Sequence, residues 1–225
     1  VTPEADTTAV YRDTRLRIRD VAAAAGDGAT AVPACPAWTV RDVVAHLAGV
    51  CDDILAGNLE GAGTDPWTLA HVAPRADRSL ADVLEEWDDL GRRVEALLGP
   101  GGAPAQLVFD EVTHEHDLRA ALGCPGARED VAVDVALGFA VPAMSASVGQ
   151  ADLPAIRARC GADEWILGSG EPEVTLTAAA FDLLRSLSGR RTAEQIKGLD
   201  WSADPTPWLP AFTFGPFTLP ITPVD

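Results

Sequence analysis

SLADVLEEWDDLGRRVEALL, residues 79–98, sets the reading of the fold. Leu80, Val83, Leu84, Trp87, Leu90, Val94, Leu97 and Leu98 recur at steps of three and four, the spacing of a helix that buries one face in a bundle. Ser79 opens it with the S-x-x-D form of an N-terminal cap, and Gly99-Pro100-Gly101-Gly102 ends it. Such a stripe cannot be buried by one helix alone, so the flanking sequence has to supply partners.

It does so on both sides. Upstream, Tyr11, Ile18, Val21, Ala22 and Ala25 form one helical stripe stopped by Gly26 and Gly28. The proline-rich AVPACPAW cannot continue that helix. Thr39-Val40-Arg41-Asp42 has the form of a capping box, which predicts a helix from Thr39 to about Ala56. Downstream, a helix is expected over roughly Pro104 to Leu122, with Gly123 past its end. A fifth is expected from about Glu129 to Val148; its VAVDVALG alternates like a strand and Pro142 would kink it, but its length favours helix.

From about Ala151 the pattern changes. IRARC, EWILGS and EVTLTA are short, partly alternating runs between Gly-rich turns, and they read as an antiparallel sheet. Two short helices follow, AAFDLLRSLSG and a Thr192-capped AEQIKGL. The tail from Trp201 onward holds six of the 17 prolines, so it is expected to be extended and packed by its aromatics. The expected fold class is α+β: an up-down helical bundle over residues 1–150 and a smaller α+β domain over 151–225.

Composition narrows the partners. With 47% hydrophobic and 23% charged residues, the chain has the proportions of a globular protein. It carries 34 acids against 17 bases, a net of −17, and a single lysine, Lys197. No basic stripe exists for nucleic acid, and anionic membrane surfaces are disfavoured for the same reason. No run approaches 18 apolar residues, so no membrane span is expected. VTPEADTTAVYRD lacks the basic and apolar regions of a signal peptide. Cys35, Cys51, Cys124 and Cys160 include no CxxC pair and read as reduced thiols, so a cytoplasmic location is expected.

The chemistry concentrates in FDEVTHEHDLRAALG, residues 109–123. On a helix, Asp110, His114, Asp117 and Ala121 share one face, while Glu115 and His116 point away from it. Two acids and a histidine on an inner stripe are costly unless they bind something or one another. His46, at the edge of the stripe of Val43, Val44, Leu47 and Val50, is placed to reach a neighbouring helix. Together His46, Asp110 and His114 supply three N/O ligands, the pattern of a catalytic zinc site with an open fourth position. Asp117 would then orient a ring N–H or serve as a fourth ligand.

Plainer readings stand beside this one. A D-x-x-x-H pair is also the pattern of a helix-surface ion pair, and His46 alone would read as a hydrogen-bonded core histidine. Iron, nickel and manganese compete for the same donors. Glu111 lies next to Asp110 and three positions before His114, so the carboxylate stays open between the two. His71, ahead of Pro74-Arg75-Ala76-Asp77, reads as a solvated loop residue, and Cys35 and Cys51 as packing cysteines. No nucleophile elbow or phosphate-cradling glycine loop is present.

PACPAWTVRDVVAHLAG (33–49) and THEHDLRAALG (113–123) resemble segments of the mycothiol-dependent maleylpyruvate isomerase family, within the DinB-like four-helix bundles. DRSLADVLEEWDDL (77–90), FDLLRSLSGRRTAEQI (181–196) and FGPFTLP (214–220) resemble further family segments in the same order. The resemblance implies a divalent metal, typically zinc, on His46, Asp110 and His114. The family usually has glutamate where this chain has Asp110, one methylene shorter. It also implies an arginine from the smaller domain near the metal, for which Arg190 is the closest match and Arg191 the next.

The implied activity is that of a metal-dependent isomerase or thiol S-transferase. Its cosubstrate would be mycothiol, a low-molecular-weight thiol held as a thiolate for attack on an electrophilic small molecule. Two other classes are carried with it. One is a non-catalytic, metal-stabilised binding or regulatory bundle, which the aspartate in place of glutamate favours. The other is a metal-dependent hydrolase in which the open position carries water.

Overall fold

The first helix starts where Asp6 accepts hydrogen bonds from the backbone N–H groups of Thr8 and Ala9, both at 3.1 Å. In this computed structural model, which describes residues 5–213, 215 and 217–225, it runs as α1, Thr7–Ala23. Four more helices follow before residue 126: α2 (Val40–Ala56), α3 (Asp65–Val72), α4 (Leu80–Leu98) and α5 (Ala105–Ala121). The Thr39 capping box is formed in both directions, Thr39 to the Asp42 N–H and Asp42 to the Thr39 N–H. Such a cap contributes about 1 kcal/mol. Gly57 closes α2 in the left-handed region at φ 71°, where an L side chain would be strained.

The chain divides into two compact units, one ending at Gly126 and one of Ala127–Asp225. In the first, α2 packs against α4, α1 against α5 and α4, and α3 against α2. The α4 stripe read from the sequence is buried through Leu80, Val83, Leu84, Trp87, Leu90 and Val94, whereas Leu97 is exposed. It meets Val43, Val44, Leu47, Tyr11 and Ile18 in one core. Each large apolar side chain buried there stabilises by about 1.5–3 kcal/mol.

One charged residue crosses this core. Arg15 is 2% exposed, and its guanidinium donates to Asp88 Oδ1 at 2.7 Å and to Glu95 Oε1 at 2.7 Å. Gly91 makes room for it, since a Cβ there would fall 2.4 Å from Arg15 Cδ.

The second unit begins with α6, Val131–Gln150, which packs against strand β2 (Asp163–Leu167), helix α7 (Ala180–Leu187) and a 3-10 segment at Thr206–Phe212. The sequence placed the boundary near residue 150 and gave this helix to the bundle. The compact units instead divide ahead of α6, because its buried side chains, Val133, Leu137, Val141, Met144 and Val148 among them, belong with the sheet unit. Helix is the correct choice over strand for this segment, with Pro142 inside it. By length and composition α6 is also apolar enough to cross a membrane, which the sequence reading did not anticipate. Its packing on β2 and α7 is that of a core helix.

The sheet has the order β2-β1-β3-β4, with β1 at Ile156–Cys160, β3 at Val174–Thr177 and β4 at Asp200–Trp201. β1 pairs antiparallel with β2 and β3 antiparallel with β4, but β1 and β3 are parallel, with Ile156 opposite Val174. The expected all-antiparallel sheet is therefore mixed: after the β1–β2 hairpin the chain crosses back and adds β3 to the other edge of β1. Helix α8 (Ala193–Lys197) starts in the capping box of Thr192 and Gln195. The tail is not extended throughout as expected, since Thr206–Phe212 coils into the 3-10 segment, but its aromatics do hold it, through Trp208 Nε1 donating to the Pro154 carbonyl at 2.7 Å and the burial of Phe212. Phe214 and Pro216, within the closing FGPFTLP segment, lie outside the described residues.

Candidate metal centre

The capping box that starts α2 places His46 two turns in, on the face turned toward α5, and His46 is 3% exposed. On α5, Asp110 and His114 are one turn apart and reach the same point. His46 Nε2 lies 3.7 Å from Asp110 Oδ1, and His114 Nε2 lies 3.8 Å from the same oxygen. One donor atom from each of the three residues falls within 4.8 Å of the others. The three residues chosen from the sequence are thus brought together.

The donor set fits a divalent metal. Two imidazoles and a carboxylate suit zinc, iron, nickel and manganese alike, and ligand atoms about 2.0–2.1 Å from a tetrahedral zinc lie roughly 3.4 Å apart. The two distances to Asp110 Oδ1 exceed that spacing by a few tenths of an ångström. Glu111, the alternative carboxylate, is elsewhere. It is 1% exposed, neither carboxyl oxygen has a hydrogen-bond partner among the described residues, and burial raises its pKa well above the carboxylate range. Glu115 is also turned away, bound by Arg17 at 2.9 Å and Arg119 at 2.8 Å.

The two histidines are pushed in opposite directions. Burial lowers the pKa of His46 and outweighs the nearby Asp110. Burial also acts against a charge on His114, but Asp117, Cys35 and Asp110 outweigh it and raise its pKa to about 10. Asp117 Oδ2 lies 3.3 Å from His114 Nδ1 and is fully buried, so it is placed to orient the ring.

Two features here were not read from the sequence. The first is Cys35, taken as a packing cysteine, whose Sγ lies 3.7 Å from Asp117 Oδ2 and 4.0 Å from His114 Nδ1. The Ala31–Thr39 bridge closes its loop and carries Trp38, whose ring centroid is 5.1 Å from that of His46. The second is His71, which is not a solvated loop residue. It belongs to α3, is 3% exposed, and its Nδ1 lies 3.1 Å from His46 Nδ1 while its Nε2 meets Asp53 Oδ2 at 2.9 Å. Trp67 packs edge-on against the His71 ring at 4.2 Å. The sequence did hold one signal for this contact: Gly49, in mid-helix, where a Cβ would fall 2.3 Å from His71 Cβ.

All of these side chains belong to the first unit. Arg190 belongs to the second, where its Nη1 donates to the Ser188 carbonyl at 2.7 Å and its guanidinium lies 6.0 Å from the Phe217 ring centroid.

Residues 11–112 match the family model described as the mycothiol maleylpyruvate isomerase N-terminal domain. The chain also shares its fold with a crystal structure of the mycothiol-dependent maleylpyruvate isomerase, with a TM-score of 0.59 at 13% identity over 88% of this chain and 92% of that one. A histidine-to-alanine mutant of the same isomerase gives a TM-score of 0.61 at 12% identity, with the same coverage. At such identities the structural likeness is one of fold. No curated protein matches the chain.

Proposed function

From a chain whose residues 11–112 match this family's N-terminal domain, we propose a metal-dependent, thiol-using enzyme similar to the mycothiol-dependent maleylpyruvate isomerase. It would act as an isomerase or S-transferase on a small electrophilic molecule. The observation that carries the proposal is the convergence of His46 Nε2, Asp110 Oδ1 and His114 Nε2 inside the first unit. A divalent metal on these atoms, zinc in our reading, supplies the Lewis acidity that keeps a coordinated thiol ionised at neutral pH.

The side chains define the rest of the proposed chemistry. His114 has its ring oriented by Asp117 on its far nitrogen. Trp38 and Trp67, with ring centroids 5.1 and 6.3 Å from His46, place apolar surface beside this ligand. The thiolate sulfur forms a bond to an electrophilic carbon of the substrate. In a conjugated cis-enone the displaced electron pair moves to the carbonyl oxygen, and the former double bond rotates. Return of the pair then expels the thiolate, leaving the trans isomer with the thiol unchanged. With an epoxide, the C–S bond forms as the ring C–O bond at the same carbon breaks, and the resulting alkoxide takes up a proton from water, so the thioether is retained.

Arg190 enters the proposal as the group that holds an anionic end of the substrate, a bidentate role suited to guanidinium. The proposed cosubstrate is mycothiol, and the proposed location is the cytoplasm, where such a thiol and the free cysteines stay reduced.

Elemental analysis of the wild type beside His46→Ala, Asp110→Ala and His114→Ala tests the centre. Near one equivalent of metal, lost in each variant, supports it; no uptake on titration sinks it. Consumption of maleylpyruvate or a related electrophile that requires both thiol and metal would support the activity. Turnover without thiol would replace it with a hydrolase. An Arg190→Ala variant with normal metal content is expected to show a raised KM for an anionic electrophile.

A further inference from the structure

Behind His46 stand two residues that the metal-site reading does not use. Asp53 Oδ2 is 2.9 Å from His71 Nε2, and a carboxylate only accepts, so that nitrogen carries the hydrogen. A neutral His71 then has a bare Nδ1. It faces His46 Nδ1 at 3.1 Å, and the contact is a hydrogen bond only if His46 donates. With its single ring proton on Nδ1, a neutral His46 presents a bare Nε2, the nitrogen turned toward Asp110 and His114. With both rings neutral, this arrangement satisfies both nitrogens of His71 and Nδ1 of His46, and leaves His46 Nε2 open to a metal. The opposite polarity would put the His46 proton on Nε2, which could not then ligate.

The surrounding structure holds the chain in place. Gly49 lets the His71 ring lie directly on α2. Trp67 closes on its edge at 4.2 Å, and Arg75 Nη1 donates to the His71 carbonyl at 3.0 Å, tying down the end of α3. Asn58 Nδ2 donates to Asp53 Oδ1 at 2.9 Å, which leaves Oδ2 aimed at His71. His114 is backed by a carboxylate directly, through Asp117. His46 is backed by one through a second imidazole.

We propose that His71 and Asp53 are positioning residues that fix the ring orientation and the ligating tautomer of His46. This rests on the reading of His46, Asp110 and His114 as a metal centre. Partners of this kind change metal affinity by about 10–100-fold when removed.

The test uses Co2+ as the probe on the full chain, read by competition with a chromophoric chelator and by the visible spectrum of the bound ion. His71→Leu and Asp53→Ala are expected to bind Co2+ about 10–100-fold more weakly with altered visible bands. His71→Asn places an amide oxygen where Nδ1 was, so it should recover affinity relative to His71→Leu; a merely space-filling role would not favour the amide. Proton NMR in water of the Zn2+-loaded wild type should show, beside the His114 Nδ1–H held by Asp117, two protected imidazole N–H signals from His46 and His71, both lost in His71→Leu. If the wild type binds Co2+ and both His71→Leu and Asp53→Ala bind it equally well, the positioning role is overturned while the metal centre stands. If the wild type takes up no Co2+ or Zn2+, both fall. Asp53→Ala, a partly exposed site, decides the matter should His71→Leu fail to fold.

Discussion

Gly49 and His71 are in contact across α2 and α3, so close that a methyl group on Gly49 would overlap the His71 ring carbons, with 2.3 Å to Cγ. Gly49 cannot gain a side chain unless His71 moves. Gly49→Ala is therefore expected to push α3 off α2, with an overpacking cost of about 1–3 kcal/mol. Thermal unfolding should show the loss, and metal titration should show weakened binding in the same variant. An alanine accepted with unchanged stability and affinity would mean that α3 can shift freely over α2.

Metal uptake is expected to release protons. His114 is held as an imidazolium up to about 10 by Asp117, Cys35 and Asp110 against the opposing effect of burial. It must lose a proton to ligate, so apparent affinity should rise about tenfold per pH unit across the neutral range. In the metal-free protein the same raised pKa contributes stability that is fully present below about 6.5 and lost as pH rises toward about 10. Calorimetric titrations in buffers of different ionisation enthalpy count the protons released. Asp117→Asn should flatten the dependence; an affinity independent of pH would show that His114 is neutral before metal arrives.

Glu111 is expected to destabilise the fold at neutral pH. Burial raises its pKa far above the usual range, so its contribution is present below about 4.5 and lost as pH rises from there. Glu111→Met removes a buried carboxyl without hydrogen-bond partners and keeps the volume, a gain of about 1–3 kcal/mol by urea unfolding at pH 7. Glu111→Gln should retain metal where Asp110→Asn loses it. The reverse result would move the ligand role to Glu111.

Arg15 binds two carboxylates from inside the core. Arg15→Met would leave Asp88 and Glu95 without it, a loss of about 3 kcal/mol in urea unfolding at pH 7. Burial opposes ionisation of Asp88, but the Arg15 hydrogen bond and charge outweigh it and hold its pKa below the usual carboxylate value. The stability this gives is present above about pH 4 and lost as pH falls below it. The acid limb of the stability curve should therefore be shallower in Arg15→Met than in the wild type.

What could be read from the sequence was whatever one helix determines by itself. The Thr39 box and the α4 stripe are local, and the step of four between Asp110 and His114 fixes their common face wherever α5 packs. His71 could not be read that way. DPWTLAHV is two turns long and offers no stripe, and what buries it is a glycine in another helix. The parallel pairing of β1 and β3 was hidden for a related reason, since alternation marks a strand but not the edge it joins. Helix α6 is apolar on nearly every side, so its pattern could not say which unit it completes.

The loop closed by the Ala31–Thr39 bridge gives the centre a part that can be tuned apart from its ligands' helices. All three candidate ligands are anchored on α2 and α5, while Trp38 and Cys35 hang on a short proline-bearing loop tied at its base. Substitutions at Cys35 or Trp38 therefore reach the ligands without altering α2 or α5, through His114 and Asp117 in one case and the His46 ring in the other. The helices set where the donors stand, and the loop sets the surroundings in which they hold their protons.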